Sequence, residues 1–368
     1  MQFSIDRAEF LQGLALTQGV VERRNTMPIL GNVFLEVGDK LAVSATDLEV
    51  HVRWHCSVKS TKAGSATVAA RKLYELIREL QPGDVTVRSL ENHYVEVISG
   101  RSKVRLVGLP PEDFPSLPQS EMSAGSGLTV PAETLLQMID RTLFAVSTDD
   151  TRAHLGGVLL TGSPDLLRFV GTDGHRLALV DQPVKGARGP EKGLILPRKG
   201  LAELRRLLEN REGDVVLRLG GNAVRVEHEA VSLVMRLIDG EFPNYEQVIP
   251  SAPKFRIAVG KDDLFSALKR VSVVASDRSR GVKFQVSRGA LTVSASSPDF
   301  GEASEEIEVA YDGDELTMGF NSRYLTDVLA VLPDGPRVEI GLIDDVSPGV
   351  IRSEDDETYS YIVMPMRL

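Results

Sequence analysis

The sequence predicts an α+β fold built from three tandem copies of one domain, each with alternating strands and two amphipathic helices. Three observations predict it. The first is a strand-into-helix phrase that recurs. Residues 128–146 read LTVPAETLLQMIDRTLFAV. A short apolar strand turns at Pro131, a residue suited to the first helical position. A helix follows with Leu135, Leu136, Ile139 and Leu143 on one face at helical spacing. The phrase returns at residues 3–21 (FSIDRAEFLQGLALTQGVV) and 255–274 (FRIAVGKDDLFSALKRVSVV), at offsets of 125 and 127 residues. The second observation is another such phrase between the first set, at residues 67–80, 195–209 and 316–332. The third is a shared closing phrase, LPPEDFPSLP at 109–118 and LIDGEFPNYEQVIP at 237–250, each followed by a short polar linker. The expected domains are therefore 1–123, 124–252 and 253–368, each made of two strand–helix–strand halves.

Bulk properties narrow the function. A chain of 368 residues exceeds one compact core and suits two or three domains. No apolar run approaches a membrane span, so no membrane role is expected. The opening MQFSIDRAEF reads as strand and helix at once, without a basic-then-apolar leader. Cys56 is the only cysteine, which excludes an intramolecular disulfide and points to a reducing cytoplasm. A net charge of −10 argues against a protein that holds nucleic acid simply by being basic.

In the first copy, a basic loop (RRNTMPIL, 23–30) leads into strands that alternate apolar and polar residues, as half-buried antiparallel strands do. His51 and His55 share a face of the strand HVRWH but lack the further ligands a metal needs. Residues 100–106 (GRSKVRL) carry three positive charges, and residues 299–308 (DFGEASEEIE) carry five acidic ones and no basic one. Two solvated strands would read this way. So would two edges that face one another across a subunit contact, where opposite charge favours the pairing and discourages like-with-like association.

In the second copy, Asp173-Gly174 within VGTDGHRLA is a hairpin signal. His175 beside Asp173 could form an acid–base pair, yet no Ser or Cys nucleophile motif accompanies it. The polar loop 147–152, with Asp149 and Asp150, reads as solvated. The glycine-rich GARGPEKG (186–193) lacks a phosphate loop's spacing and reads as a linker. The third copy ends in an apolar strand followed by MPMRL, with methionines suited to surfaces that accept several partners. Residues 353–358 (SEDDET) read as a solvated hairpin loop. No phosphate loop, dinucleotide fingerprint, zinc cluster or nucleophile elbow is present, so neither enzyme nor cofactor is expected. A threefold repeat without catalytic equipment points to a scaffold or ring.

The three-domain repeat, NTMPILGN at 25–32, TDGHRL at 172–177 and the terminal VMPMRL together resemble the bacterial sliding clamps, the beta subunits of DNA polymerase III. The likeness runs from Met1 to Leu368. It implies clamp domains with antiparallel sheets outside and two helices per domain inside. It also implies a head-to-tail homodimer closing a ring around duplex DNA, and a non-catalytic processivity factor in the cytoplasm, on the nucleoid. Implied partners are the polymerase alpha subunit, the clamp loader delta subunit, and other polymerases and repair proteins, all through short peptide motifs.

Residue by residue, the resemblance implies DNA contacts at Arg24, Arg71, Arg152, Arg198 and Lys199. It implies a dimer contact of Lys72, Arg101, Lys103 and Arg105 with Asp299, Glu302 and Glu305, with Leu106, Val273 and Val274 adding apolar surface. It implies a peptide pocket of Leu155, Thr172, Gly174, His175, Arg176, Leu177, Pro243, Val248, Asn321, Tyr324, Val346, Val363, Met364, Pro365 and Met366, with Arg367 at the rim. The sequence departs from relatives at Ala153 and His154 (a tyrosine pair there), at Gln247 and Ser279 (Arg and an aromatic), and at Ser304 (an acid). The six expected helices sum to +2 on a chain of −10, a mildly basic lining on an acidic protein. That balance suits sliding rather than tight ionic grip. Two rivals are an enzyme around Asp173, His175 and Asp149–Asp150, and a monomeric peptide-binding scaffold without DNA.

Overall fold

The computed structural model describes residues 1–21, 26–115, 127–250, 252–276, 279–335 and 337–367. The first repeat comprises β1 (Gln2–Asp6), α1 (Arg7–Thr17), β2 (Asn32–Val37), β3 (Leu41–Thr46), β4 (Val50–Cys56), β5 (Lys59–Lys62), β6 (Gly64–Ala69), α2 (Ala70–Glu79), β7 (Asp84–Ser89), β8 (Val95–Ser99) and β9 (Ser102–Leu106). The second comprises β10 (Leu128–Pro131), α3 (Ala132–Thr142), β11 (Gly157–Thr172), β12 (Arg176–Arg188), β13 (Leu194–Pro197), α4 (Arg198–Leu208), β14 (Asp214–Gly220), β15 (Ala223–His228) and β16 (Val231–Arg236). The third comprises β17 (Phe255–Gly260), α5 (Lys261–Val271), β18 (Gly281–Ser287), β19 (Ala290–Ser297), β20 (Gly301–Ala310), β21 (Leu316–Asn321), α6 (Ser322–Val331), β22 (Arg337–Leu342), β23 (Gly349–Ser353) and β24 (Asp356–Val363). Every expected strand-into-helix phrase is present.

The sheets do not stop where the repeats do. One compact unit joins residues 1–133 to 199–237, and the other joins 134–198 to 238–368. In the first unit, an eight-stranded antiparallel sheet runs β10-β14-β15-β16-β4-β3-β2-β6, while β5-β1-β7-β8-β9 form a second sheet. The β4–β16 ladder, with Val52 opposite Leu233 and His51 opposite Val234, carries the larger sheet from the first repeat into the second. In the second unit, eleven strands run β13-β11-β12-β24-β23-β22-β17-β20-β19-β18-β21. There the β12–β24 ladder joins second repeat to third. Joining half-domains this way leaves fewer sheet edges to shield than separate domains would.

In the first unit, Asp6 caps α1 by accepting from the amides of Ala8 (2.8 Å) and Glu9 (3.2 Å), which satisfies two otherwise unpaired donors. The helix buries Phe10, Gly13, Leu14 and Thr17. Phe10 meets Phe3 edge-on at 5.9 Å, and α2 adds Leu73 and Ile77 to the same core. Each such apolar side chain contributes about 1.5–3 kcal/mol on burial.

Four expectations change in detail. Pro131 ends β10 rather than opening α3. Met138 and Ile139 are fully buried with Leu135, whereas Leu136 is half-buried and Leu143 lies in a short 3-10 turn beyond the helix. Residues 186–188 of the glycine-rich stretch belong to β12, so the hairpin is longer than its turn signal implies. Asp356 is not solvated, because Arg141, itself buried, pairs with it at 2.8 Å. Burial of that guanidinium demands the partner.

Candidate peptide-binding surface and charged sheet edges

All the residues expected to form the peptide pocket lie in the second unit. TDGHRL is the tip of the β11–β12 hairpin, and its side chains bond to its own backbone. Thr172 Oγ1 donates to the Arg176 carbonyl (2.6 Å) and accepts from the Gly174 amide (3.1 Å). Asp173 Oδ1 accepts from the amides of His175 (2.9 Å) and Arg176 (3.1 Å). Gly174 has φ +89°, a conformation that strains residues bearing a Cβ. Beyond the tip, Arg176 stands opposite Val363 and Leu177 opposite Ile362. The Met364 amide then donates to the His175 carbonyl (2.9 Å) and the Met366 amide to the Gly319 carbonyl (2.8 Å). The two motifs that stood out in the sequence are thus hydrogen-bonded neighbours, and the terminal methionines are held as a strap.

Arg176 holds this surface together from beneath. Its side chain is 8 % exposed. Nε donates to Asp173 Oδ2 (3.1 Å), Nη1 to Asp327 Oδ2 on α6 (2.7 Å) and Nη2 to the Phe144 carbonyl (2.7 Å). The guanidinium also lies 4.5 Å from the Tyr324 ring centroid and 5.4 Å from that of Phe144, as cation–π pairs do. Tyr361 donates to the Tyr324 carbonyl (2.9 Å). Burial pushes the Tyr324 hydroxyl above the ordinary tyrosine range. Asn321 caps α6 through the Arg323 amide (2.9 Å). Thr172, Asn321, Arg176 and Tyr324 are therefore framework, with no more than their outer faces left for a ligand.

The floor is apolar. Leu177, Ile362, Val350 and Val170 pack with half-buried Phe242, Tyr245 and Ile249, and Leu155 and Val363 are buried. Around it the apolar side chains are exposed: Val346 at 65 %, Val248 at 43 % and Met364 at 40 %. Pro243 and His175 are exposed, while Pro365 and Met366 are half-buried. Arg367 is exposed at the rim. An apolar floor bordered by exposed apolar side chains and a few oriented polar groups suits short segments that present apolar anchors. It does not suit the acid–base reading. Asp173 spends both oxygens on the turn and Arg176, and among the described residues no group of three or more His, Cys, Asp or Glu could hold a metal.

The expected assembly residues fall on two sheet edges. In the first unit, β9 is the last strand of its sheet. Glu96 on β8 is fully buried and accepts from Arg105 Nε (2.9 Å), from Arg88 and from Lys103 (3.2 Å). The Arg105 hydrogen bond leads in pulling its carboxyl down to about 2, with Arg88 and Lys103 adding to it. Three cations around one anion leave a net positive edge, with Arg101 exposed in the adjoining turn and Val107, 64 % exposed, beside Leu106. Lys72 on α2 is exposed and pairs with Glu75 (2.9 Å).

In the second unit, β20 pairs with β17 only at Val309 and Ala310, so residues 301–308 have β19 on one side and no strand on the other among the described residues. Period-two alternation divides its acids. Glu305 shares the face of buried Ile307 and pairs with Arg270 of α5, which lowers its carboxyl. Glu302, Ser304 and Glu306 are exposed on the other face. Asp299 is exposed, as are Val273 at 78 % and Phe300 at 58 %. Val274 is half-buried. The residue-by-residue expectation does not name Val107, Phe300 and Glu306, which the structure leaves exposed on or beside these edges. The first two carry no charge pattern, and Glu306 is separated from Glu305 only by knowing the strand's faces.

Of the residues expected at DNA, Arg24 lies outside the described residues. In the first unit, Arg71 is exposed beside Glu75 (2.8 Å) and Lys199 meets Asp47 (2.5 Å). In the second, Arg198 is exposed at the start of α4, and Arg152 reaches Asp149 (3.1 Å) and the Asp173 carbonyl (2.8 Å). Ala153 and His154 follow Arg152 in a short 3-10 turn.

This geometry can be set beside known proteins. Three family profiles match in order: DNA polymerase III beta subunit N-terminal domain over residues 1–118, central domain over 129–244 and C-terminal domain over 246–367. The chain belongs to the DNA polymerase III beta subunit family. It is 39 % identical to the beta sliding clamp of Caulobacter vibrioides over 376 residues and 36 % identical to that of Escherichia coli over 372, covering all of each chain. The solved beta subunit of Pseudomonas aeruginosa superposes with a TM-score of 0.94 at 36 % identity, over 100 % of both chains. A Pseudomonas aeruginosa clamp solved bound to griselimycin is equally similar, at TM-score 0.94. The three sequence repeats are thus three clamp domains of this family, with mixed helices and antiparallel sheets.

Proposed function

We propose that the chain acts as a sliding clamp. It is a processivity factor of the DNA polymerase III family with no catalytic step of its own, and it tethers the polymerase to its template. The observation that carries this reading is the end-to-end likeness to sliding clamps over all of both chains. Two copies associate head to tail, with β9 of one adding to the open side of β20 of the other. Lys103 and Arg105 then face Glu302 and Glu306 on one face of the joined sheet, and Lys72 faces Glu305 on the helix side. Leu106, Val107, Val273 and Phe300 supply the apolar contact. A heterologous contact gives a filament where the rotation between copies does not close and a ring where it does, and the form proposed is closure of two copies into a ring. The helices line it with mild positive charge, and Arg24, Arg71, Arg152, Arg198 and Lys199 touch phosphates without reading sequence.

Peptide segments of the polymerase alpha subunit, the clamp loader delta subunit and other DNA-handling proteins dock their apolar anchors over Leu177, Val363 and Met364. No helix among the described residues is long and apolar enough to cross a membrane. A cytoplasmic, nucleoid-associated setting fits this role. The domain bounds 1–123, 124–252 and 253–368 are the units we assign to the ring.

The test is retention on DNA of two topologies. The protein is loaded onto nicked circular DNA by a clamp loader, washed in high salt, and half the sample is linearised. Survival on circles with loss from linear ends is the expected outcome. Equal loss from both would overturn topological binding and favour the DNA-free scaffold.

A further inference from the structure

Beside the terminal strap lies a concavity of about 730 Å³, all of it within the second unit. Its floor is the polar face of β18, β19 and β20. Lys283 stands opposite Ser294 and Ser294 opposite Ser304, with Ser296 opposite Glu302 one pair along. Met366 and Arg367 form one wall, Ser276 and Ser279 another. None of these positions belongs to the turn or the apolar floor described above, yet the concavity meets that surface at the Met366–Arg367 strap. No hydrogen bond within the described chain engages the hydroxyls of Ser294, Ser296 or Ser304. Lys283 and Arg367 are exposed and make no ion pair among the described residues.

We infer that this serine-lined trough is a second subsite for the docking partner. It takes an acidic, acceptor-rich extension of the same peptide whose apolar anchors fill the neighbouring floor. The inference rests on the pocket reading of the proposed function and deepens it. Small hydroxyl side chains on a twisted sheet leave room for a backbone to lie close, and each can donate to a carbonyl or carboxylate. Lys283 and Arg367 supply positive charge at the end nearest the strap. Glu302, which the proposed dimer contact pairs with Lys103 and Arg105 of the second copy, bounds the far side. The positive end formed by Lys283 and Arg367 selects a peptide with carboxylates next to its anchors. Linking the two contacts in one chain makes the second intramolecular, so modest polar contacts raise affinity.

The test compares fluorescent peptides on the full-length protein: an apolar-anchor peptide alone, and the same peptide extended by Asp-Asp-Ser at either end. One extended peptide is expected to bind about tenfold tighter, equivalent to about 1.4 kcal/mol. Lys283→Glu and Ser294→Glu are expected to abolish that gain while leaving the short peptide's affinity as it was. An extension that adds nothing at either end, while the short peptide binds, would overturn the trough alone. Failure of the short peptide to bind would overturn the pocket reading and the trough with it. A gain that survives both substitutions, or that a single-stranded oligonucleotide displaces without displacing the short peptide, would also reject the acidic extension as occupant.

Discussion

Arg176 offers the sharpest perturbation. It is 8 % exposed and satisfies Asp173 (14 % exposed), Asp327 (28 %) and the Phe144 carbonyl while stacking on Tyr324. Arg176→Met keeps much of the apolar stem but strands two carboxylates and a carbonyl. Breaking a buried pair by removing one partner costs about 3–5 kcal/mol. Asp327 retains a second cation, Arg323 at 3.8 Å, and some solvent, which places the cost at the lower end, about 3 kcal/mol. For a unit of this size each kcal/mol moves the midpoint by about 2–4 °C, so the second unit should melt about 6–12 °C lower. Calorimetry on the full chain measures this, with peptide binding followed by fluorescence anisotropy. The hairpin tip and the strap share the Arg176 anchorage, so peptide affinity should fall as well. Arg176→Lys should recover little, because a single ammonium cannot reproduce the planar fork. A midpoint within 2 °C of the parent together with unchanged peptide affinity would refute the framework role.

Four further outcomes are expected. Gly13→Ala should destabilise the first unit, because a Cβ there would sit 2.1 Å from the Trp54 ring. Overpacking of about 1–3 kcal/mol outweighs the helix-propensity gain of up to about 1 kcal/mol, and urea unfolding reads the sign. His51 is buried, with Arg53 and Arg225 adding to the desolvation that holds its imidazole at about 3 against a usual 6.5. The unfolded chain thus takes up a proton that the folded chain refuses, and stability should fall as pH drops from 6.5 to 3. His51→Gln should flatten that part of the pH profile. Glu96, held at about 2 against a usual 4.5, stabilises fully above pH 4.5, and that contribution is lost as pH falls through 2. At neutral pH, Lys103→Glu with Arg105→Glu should shift sedimentation to monomer, and adding Glu302→Lys with Glu306→Lys should restore the dimer. An unshifted profile for the first pair removes β9 from the interface.

Much of the fold was legible because its signals are local. Periodicity placed a helix in each of the six strand-into-helix phrases, since apolar spacing and turn residues act over a single element. TDGHRL was legible as a turn because Asp and Gly there serve their own backbone. What the hairpin does was not. Nothing local in Thr172–Leu177 says that Val363 lies beside it, or that Arg176 points down to Asp327 on a helix 151 residues away. SEDDET is the hairpin turn it reads as, but its solvation fails at Asp356 for the same reason: Asp356 looks solvated until Arg141 is brought to it.

The sequence by itself determined the repeat, the strand and helix identities, the absence of catalytic motifs and the two oppositely charged strands, since each is written in composition and spacing. Only the tertiary structure decided which half-repeat pairs with which, so that compact units straddle the repeats. It also decided which acids of β20 face outward and which, like Glu305, are taken by a helix. The physical reason is that edge pairing and side-chain partnering are choices among distant, chemically similar candidates. Those choices are settled by burial and by the need to satisfy every enclosed charge, which no stretch of sequence expresses alone.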